Sequence, residues 1–564
     1  MPVVSILSQK NSEKSMDNVR FILFVFLVFF GIMLWQQWQV DYGPKPQQTA
    51  ANGGDLVVPT DVTTGGDVPA SAGNVTELSA TKAGASAPHP LIRVMTDVVR
   101  LELDTRGGDV VSLELLNYPT SKDHPDQPVH LLAGDRENYF VAQSGFLGDD
   151  RSSPNHHTLW QAANTDYQLA EGEKTLRIPL TWVSPEGIRV TKTYILNRGD
   201  YRIGLEQKVE NHSAASWKGR QYMQLQRKDP GDKNKSATIR TYTGGVIYTA
   251  EDNYQKVEFK DMADNKDRLS RQGWAAMIQH YFMAAWIPHA DEEHNFYTKA
   301  LADQYYVIGA YSLPTEVAQG EEKTFTADLF VGPKLQRVLE QTAPGLELTV
   351  DYGSLTIAAK PIFWLLEQFH KLFDNWGWAI VFVTITLKAL FFKLSEASYR
   401  SMAGMRKLQP KMQALKEKYG NDKQKLNMAM MELYREEKAN PLGGCLPILV
   451  QIPVFIALYW VLIETVEMRQ APFIFWLNDL SSQDPYFVLP VVMGISMYFQ
   501  QKLSPPPSDP MQAKVMQFFP VIFTGFFAFF PSGLVLYWVV NNLLSILQQW
   551  VITRQVEGAA PAKA

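Results

Sequence analysis

The 564-residue chain is too long for one ordinary domain, and its 46% apolar residues gather towards its two ends. Its formal net charge of -5 says little about partners, because the charges segregate by loop. Cys445 is the one cysteine, which excludes an internal disulfide framework and a Cys-based zinc site.

Residues 21–35 read FILFVFLVFFGIMLW without a charge, after Lys10, Lys14 and Arg20. A cleaved signal peptide and a retained helix are the alternatives. No small-x-small cleavage site follows, whereas Trp35 and Trp38 suit an interfacial belt, so residues 1–40 are read as holding a membrane helix over about 19–38. Either Met1 or Met16 is the start. Residues 41–90 are rich in Gly, Ala, Thr, Pro and Ser and bury too little apolar surface to fold, so they read as a tether.

From residue 91 to 345 the period becomes two. Val99, Leu101 and Leu103 alternate with polar residues before the turn Arg106-Gly107-Gly108. LRIPLTWV, GIRVTKTYIL and YRIGLEQKVE follow closely, joined by turn sequences around Gly187 and Gly199. Many short strands and little helical periodicity predict a large all-β sandwich. His156-His157, Glu292-Glu293-His294 and residues 228–235 are the clusters of reactive side chains, and each is read as a solvated loop, with neither metal-ligand nor acid/base spacing. Hanging on its tether, the sandwich is expected to be largely dispensable, since the polar groove features all lie after Trp376.

Residues 346–375 contain KPIFWLLEQFHKLF, where Ile362, Phe363, Leu365, Leu366, Phe369, Leu372 and Phe373 make one apolar face, the pattern of an interfacial helix. Five further spans are expected within residues 376–552, at 376–392, 446–463, 487–501, 515–530 and 534–552. Several fall short of the roughly 20 residues that a standard bilayer needs, which implies local thinning. The loop 393–440 is strongly basic and the loop 464–485 is acidic, so the first is cytoplasmic. Counting spans puts both termini in the cytoplasm and the sandwich on the outer face, in an α-helical polytopic protein of six transmembrane helices. Residues 553–564 form a short tail.

Lys388 lies inside an apolar span, where a charge costs about 2.5 to 3.5 kcal/mol. Snorkelling is one reading, but it would carry the ammonium past Ala389 to Phe392, so a water-filled cavity is favoured, with Thr384 nearby. Tyr537, Asn541, Ser545 and Gln548 share one helical face, with Asn542 and Gln549 beside it and Gln451 on another span. This stripe is either interhelical hydrogen-bond glue or the wall of a groove. In the cytoplasmic loop, Met402, Met405 and Met412 recur at helical spacing, a turn follows at 419–422, and Met430 lies on the return arm. These methionines form the seam of a helical hairpin or an adaptable apolar surface. The basic exterior suits ribosomal RNA or anionic lipid. No GxxxxGK[ST] motif appears, so hydrophobic transfer is the expected driving force, without cofactor or catalytic residue.

Four motifs together, NPLGGC at 440–445, MRQAPF at 468–473, DPM at 509–511 and PSGLVLY at 531–537, resemble those of the YidC family of membrane protein insertases. The resemblance covers almost the whole chain. It implies a β-supersandwich in the periplasm, akin to sugar epimerase folds without their activity, and a five-helix core whose groove, open to cytoplasm and lipid, receives hydrophilic parts of nascent membrane proteins in the bacterial inner membrane. It also implies the Sec translocon (SecYEG, SecDF) as a partner. The family's groove cation is usually arginine, and Lys388 stands at the matching position. Relatives with long basic tails suggest ribosome contact there, whereas this tail has only Arg554 and Lys563, leaving the cytoplasmic loops for the ribosome. A polytopic transporter would need broken helices in pairs or intramembrane acids, and a membrane-anchored carbohydrate protein would need a carboxylate or histidine pair on the sandwich.

Overall fold

The computed structural model describes residues 90–148, 153–231, 241–264, 266–420, 422–437, 446–504 and 510–558. The first apolar run, the tether, the motif at 440–445 and the last residues of the tail lie outside the described residues.

Alternating apolar residues between glycine turns build the sandwich. In Arg202–Asn211 the odd positions Ile203, Leu205, Gln207, Val209 and Asn211 face inward. This strand pairs antiparallel with Ile188–Asn197 on one side and Glu322–Pro333 on the other. Among the described residues, the strands form an 11-stranded and a 9-stranded sheet, antiparallel except where Leu91–Met95 meets Asp166–Gln168. Gly107 takes φ of 83° at the expected turn, a conformation that favours glycine. The buried Lys192 ammonium pins this turn by donating to the carbonyls of Gly107 at 2.7 Å and Ser144 at 2.9 Å. His156 and His294, expected in solvated loops, are both 4% exposed. His156 bonds the Tyr222 hydroxyl and His294 the Glu292 carbonyl, which satisfies their polar atoms inside the sandwich.

The chain leaves the sandwich through a short helix α1 (Gln336–Thr342) and two 3₁₀ turns. The amphipathic helix α2 spans Thr356–Phe373 and buries Ala359, Ile362, Phe363 and Leu366. The broad apolar face expected there is divided, because Leu372 is exposed, as are Ile357 and Trp364. Next come α3 (Trp376–Leu390), α4 (Phe392–Lys407), α5 (Gln409–Tyr419), α6 (Lys423–Glu436), α7 (Leu446–Glu464), α8 (Val488–Leu503), α9 (Pro510–Phe527) and α10 (Ser532–Gly558). Asn375 caps α3 by accepting from the Trp378 amide at 3.1 Å and also donates to the Phe473 carbonyl. Gly377 permits this docking, since a Cβ there would sit 2.0 Å from Phe473. Among the described helices, Ser532–Gln555 alone is long and apolar enough to cross a bilayer by itself. The 15 residues of α3 reach only about 22 Å at helical rise, and α4 turns away from α3 by 67°. Proline explains the next break. Pro410 in the first turn of α5 ends α4 just before it, so of the four methionines expected in the hairpin Met402 and Met405 lie on α4, and Met412 and Met430 lie on α5 and α6.

The sandwich does not merely hang on its tether. Lys334, next to the last strand, is 2% exposed and donates to the Thr349 carbonyl at 3.1 Å. It also meets Glu464, the last residue of α7, at 3.5 Å. Burial pulls its ammonium below the usual lysine range, and Glu464 opposes that pull. His280 bonds the Ile463 carbonyl at 2.9 Å, and Arg469 donates to the Pro119 carbonyl at 2.7 Å. Removing one partner of a buried pair leaves an uncompensated charge, at a cost of about 3 to 5 kcal/mol. Lys334→Met should therefore lower the thermal midpoint of the full chain in detergent, and Lys334→Met/Glu464→Leu should recover most of the loss. A single variant as stable as the wild type would contradict a stabilising role for the pair.

Candidate substrate groove

Five of the seven groove residues singled out in the sequence line one cavity. Thr384 and Lys388 come from α3, Gln451 from α7, and Tyr537 and Asn541 from α10. The Lys388 ammonium donates to the Ser545 hydroxyl at 2.7 Å, and that hydroxyl donates to the Asn541 carbonyl at 2.7 Å. The Gln451 amide donates to the Asn541 side-chain oxygen. Helical spacing explains the meeting, because Tyr537, Asn541 and Ser545 stand four residues apart on α10. Asn542 departs from the expected group. It turns to α8 and donates to the Ser496 hydroxyl at 3.0 Å, while Gln549 donates to the Leu503 carbonyl. These two residues are interhelical glue, and the Asn541 face is the cavity wall.

Thr384 spends its hydroxyl on its own helix, donating to Ile380 at 2.7 Å. Lys388 meets a neutral oxygen and no carboxylate among the described residues. The cavity holds only about 30 Å3, room for about one water and none for a polypeptide. Both amide atoms of Gln548, one turn beyond Ser545, are buried without a partner among the described residues. Ser395 also lines the cavity, and Ser398 and Tyr399 are buried on the same face of α4. Their helical spacing was visible in the sequence, but they lay in a stretch read as cytoplasmic loop. Of the hairpin methionines, Met430 is buried and Met412 half-buried, while the unforeseen Met428 and Met431 are exposed.

Residues 91–365 match the YidC periplasmic domain family, and residues 368–559 match the 60Kd inner membrane protein family. A membrane protein insertase YidC of Methylococcus capsulatus is 62% identical over 546 residues, 96% of this chain and 99% of that protein. The chain belongs to the YidC family of membrane protein insertases. One from Nitrosococcus oceani is 50% identical over 550 residues, again covering 96% of this chain and 99% of the relative. The crystal structure of an active YidC insertase with its first transmembrane domain resolved is 19% identical, with a TM-score of 0.38, covering 82% of this chain and 94% of that one. A galactose mutarotase-like protein from Lactobacillus casei is 10% identical, with a TM-score of 0.31, covering 43% of this chain and 99% of the other. As a YidC insertase, the chain is an inner membrane protein with the sandwich as its periplasmic domain and nascent membrane proteins as its substrates.

Thiol labelling tests whether the cavity admits water. Val539, which a simple helical reading turns to lipid, is 6% exposed, whereas Leu547 is 57% exposed. In a Cys445→Ser background, Asn541→Cys should react several-fold faster than Leu547→Cys with a water-borne thiol reagent added from the cytoplasm, because the reactive thiolate forms in contact with water. Equal rates at the two sites would contradict a hydrated cleft.

Proposed function

We propose that this insertase works through the cleft among α3, α7 and α10, which widens to receive a polar substrate segment while the adjoining apolar helix slides into lipid. The observation that carries the reading is the convergence of Lys388, Gln451 and Asn541 from three helices on one small cavity, with Ser545 as the acceptor of the Lys388 ammonium. Neutral partners leave the ammonium free to exchange Ser545 for a substrate carboxylate. At about 4 Å and an effective dielectric of about 20, that attraction is worth about 4 kcal/mol. An aspartate at mid-membrane costs about 2.5 to 3.5 kcal/mol, so one lysine offsets one acidic residue at a time. The short α3 supports the same reading, because a thinned slab shortens the apolar distance that a polar segment must cross.

The topology that fits is a cytoplasmic α5/α6 hairpin, both termini in the cytoplasm and the 464–485 loop outside. The basic hairpin surface and the exposed Met428 and Met431 would receive emerging chains from the ribosome. The Sec translocon enters as a partner through family resemblance. No chemical transformation is assigned, and partition of apolar segments into lipid drives the process.

Insertion of an acidic-tailed and a neutral-tailed single-spanning substrate, reconstituted with wild type, Lys388→Arg, Lys388→Ala and Lys388→Glu, tests this mechanism. Lys388→Arg should keep activity. Lys388→Ala should lose about tenfold or more on the acidic tail, and Lys388→Glu should lose further, with the neutral tail least affected. Equal insertion of both substrates by all four proteins would refute a role for the charge.

A further inference from the structure

We propose that a second cavity, between the sandwich and the α7–α8 loop, binds a phosphate-bearing anion at the outer surface of the membrane. It measures about 790 Å3, within the range of small-molecule sites of about 300 to 1,000 Å3, and is separate from the groove.

Its deepest cation is Arg227, at the end of the strand Trp217–Lys228 and only 7% exposed. The guanidinium lies 4.6 Å over the Phe140 ring and donates through Nη2 to the Gln279 side-chain oxygen at 2.5 Å. Nη1 is buried and finds no acceptor among the described residues. Burial lowers its pKa only to about 10, which leaves it charged at neutral pH. The nearby Asp229 carboxylate opposes that burial, yet with Nη1 unbonded the buried guanidinium still bears a desolvation penalty, which an anion supplied from outside would offset. Arginine presents two parallel donors to phosphate oxygens, so the residue type suits that anion.

Two further cations and two carboxylates line the cavity. Arg469 gives its bonds to the carbonyls of Pro119 and Thr120 and stacks over the Phe282 ring, and Lys122 also lines the cavity. Against them stand Asp123, which is exposed, and Asp479. Asp479 is already engaged, accepting from the Gln470 amide and from the amide and hydroxyl of Ser481. Burial holds His280 at about 4, so it is neutral at pH 7. The wall thus sets three cations against two carboxylates, and its buried donor without a bond among the described residues is Nη1 of Arg227.

The depth rests on the proposed topology, which puts the 464–485 loop at the outer surface. Phe475 is 83% exposed and Tyr486 70%, aromatic positions suited to the headgroup level. An anionic phospholipid headgroup and a free phosphate ester share the chemistry required.

The test uses the full chain in detergent. Titration with sn-glycerol 3-phosphate is read by calorimetry, and titration with phosphatidylglycerol by native mass spectrometry. Wild type, Arg227→Gln, Arg469→Gln, Lys122→Gln and the control Lys218→Gln, at the far end of the Arg227 strand, are compared. Saturable binding should weaken at least tenfold in Arg227→Gln and Arg469→Gln and stay unchanged in Lys218→Gln. Loss confined to glycerol phosphate supports the site with a soluble ester as occupant, and loss confined to the lipid supports it with a headgroup. If Arg227→Gln fails to fold, Lys122→Gln, which removes a cation without touching the bonds of either arginine, carries the comparison. Absence of saturable binding for both probes, or equal binding by all the folded proteins, would overturn the proposal. Binding in detergent does not depend on sidedness, so a failed topology would leave this result intact.

Discussion

A lysine ammonium held among apolar helices constrains the architecture around it. Lys388 sits in the last turn of a 15-residue helix, and its acceptor is the Ser545 hydroxyl, a neutral group that does not cancel its charge. That arrangement requires α10 to present a polar face at this height and Gln451 to complete it. The helix ends two residues later, at Leu390. The 67° bend between α3 and α4 brings Ser395 to the same cavity in place of another apolar turn. Short helices, a bent junction and a polar stripe thus become one solution to the cost of an uncompensated charge.

The periplasmic sandwich joins this core through a second buried cation, Lys334, and here the partner is ionic. Glu464 closes α7, the helix that carries Gln451. The two lysines therefore differ in kind. Lys334 is fastened to a carboxylate and a carbonyl and holds two parts together, whereas Lys388 rests on a neutral hydroxyl.

Much of this was legible in the sequence, because periodicity reports which face an element buries. Period two foretold the strands around Arg202–Asn211, and the spacing of Tyr537, Asn541 and Ser545 foretold a shared face. Pairings between distant segments were not legible. Asn542 looked equivalent to Asn541, and only the position of α8 assigns it to Ser496. The bonds of Arg469 to Pro119 and of His280 to Ile463 join residues more than 180 positions apart, beyond any local pattern. His156 and His294 looked like loop residues because burial of a polar side chain depends on partners that the neighbouring sequence does not name.

The proposed route takes substrate into the cleft among α3, α7 and α10. The most direct test is site-specific photocrosslinking to a stalled nascent single-spanning protein, with the probe placed at position 451, 541, 543 or 547. Leu543 and Leu547 are more than half exposed on the other side of α10, so they report lipid-side encounters. Strong crosslinks from 451 and 541 to the polar flank of the substrate, with weak ones from 543 and 547, are the predicted result. Crosslinks from 543 and 547 alone would contradict the account, because the substrate would then pass the insertase without entering its cleft.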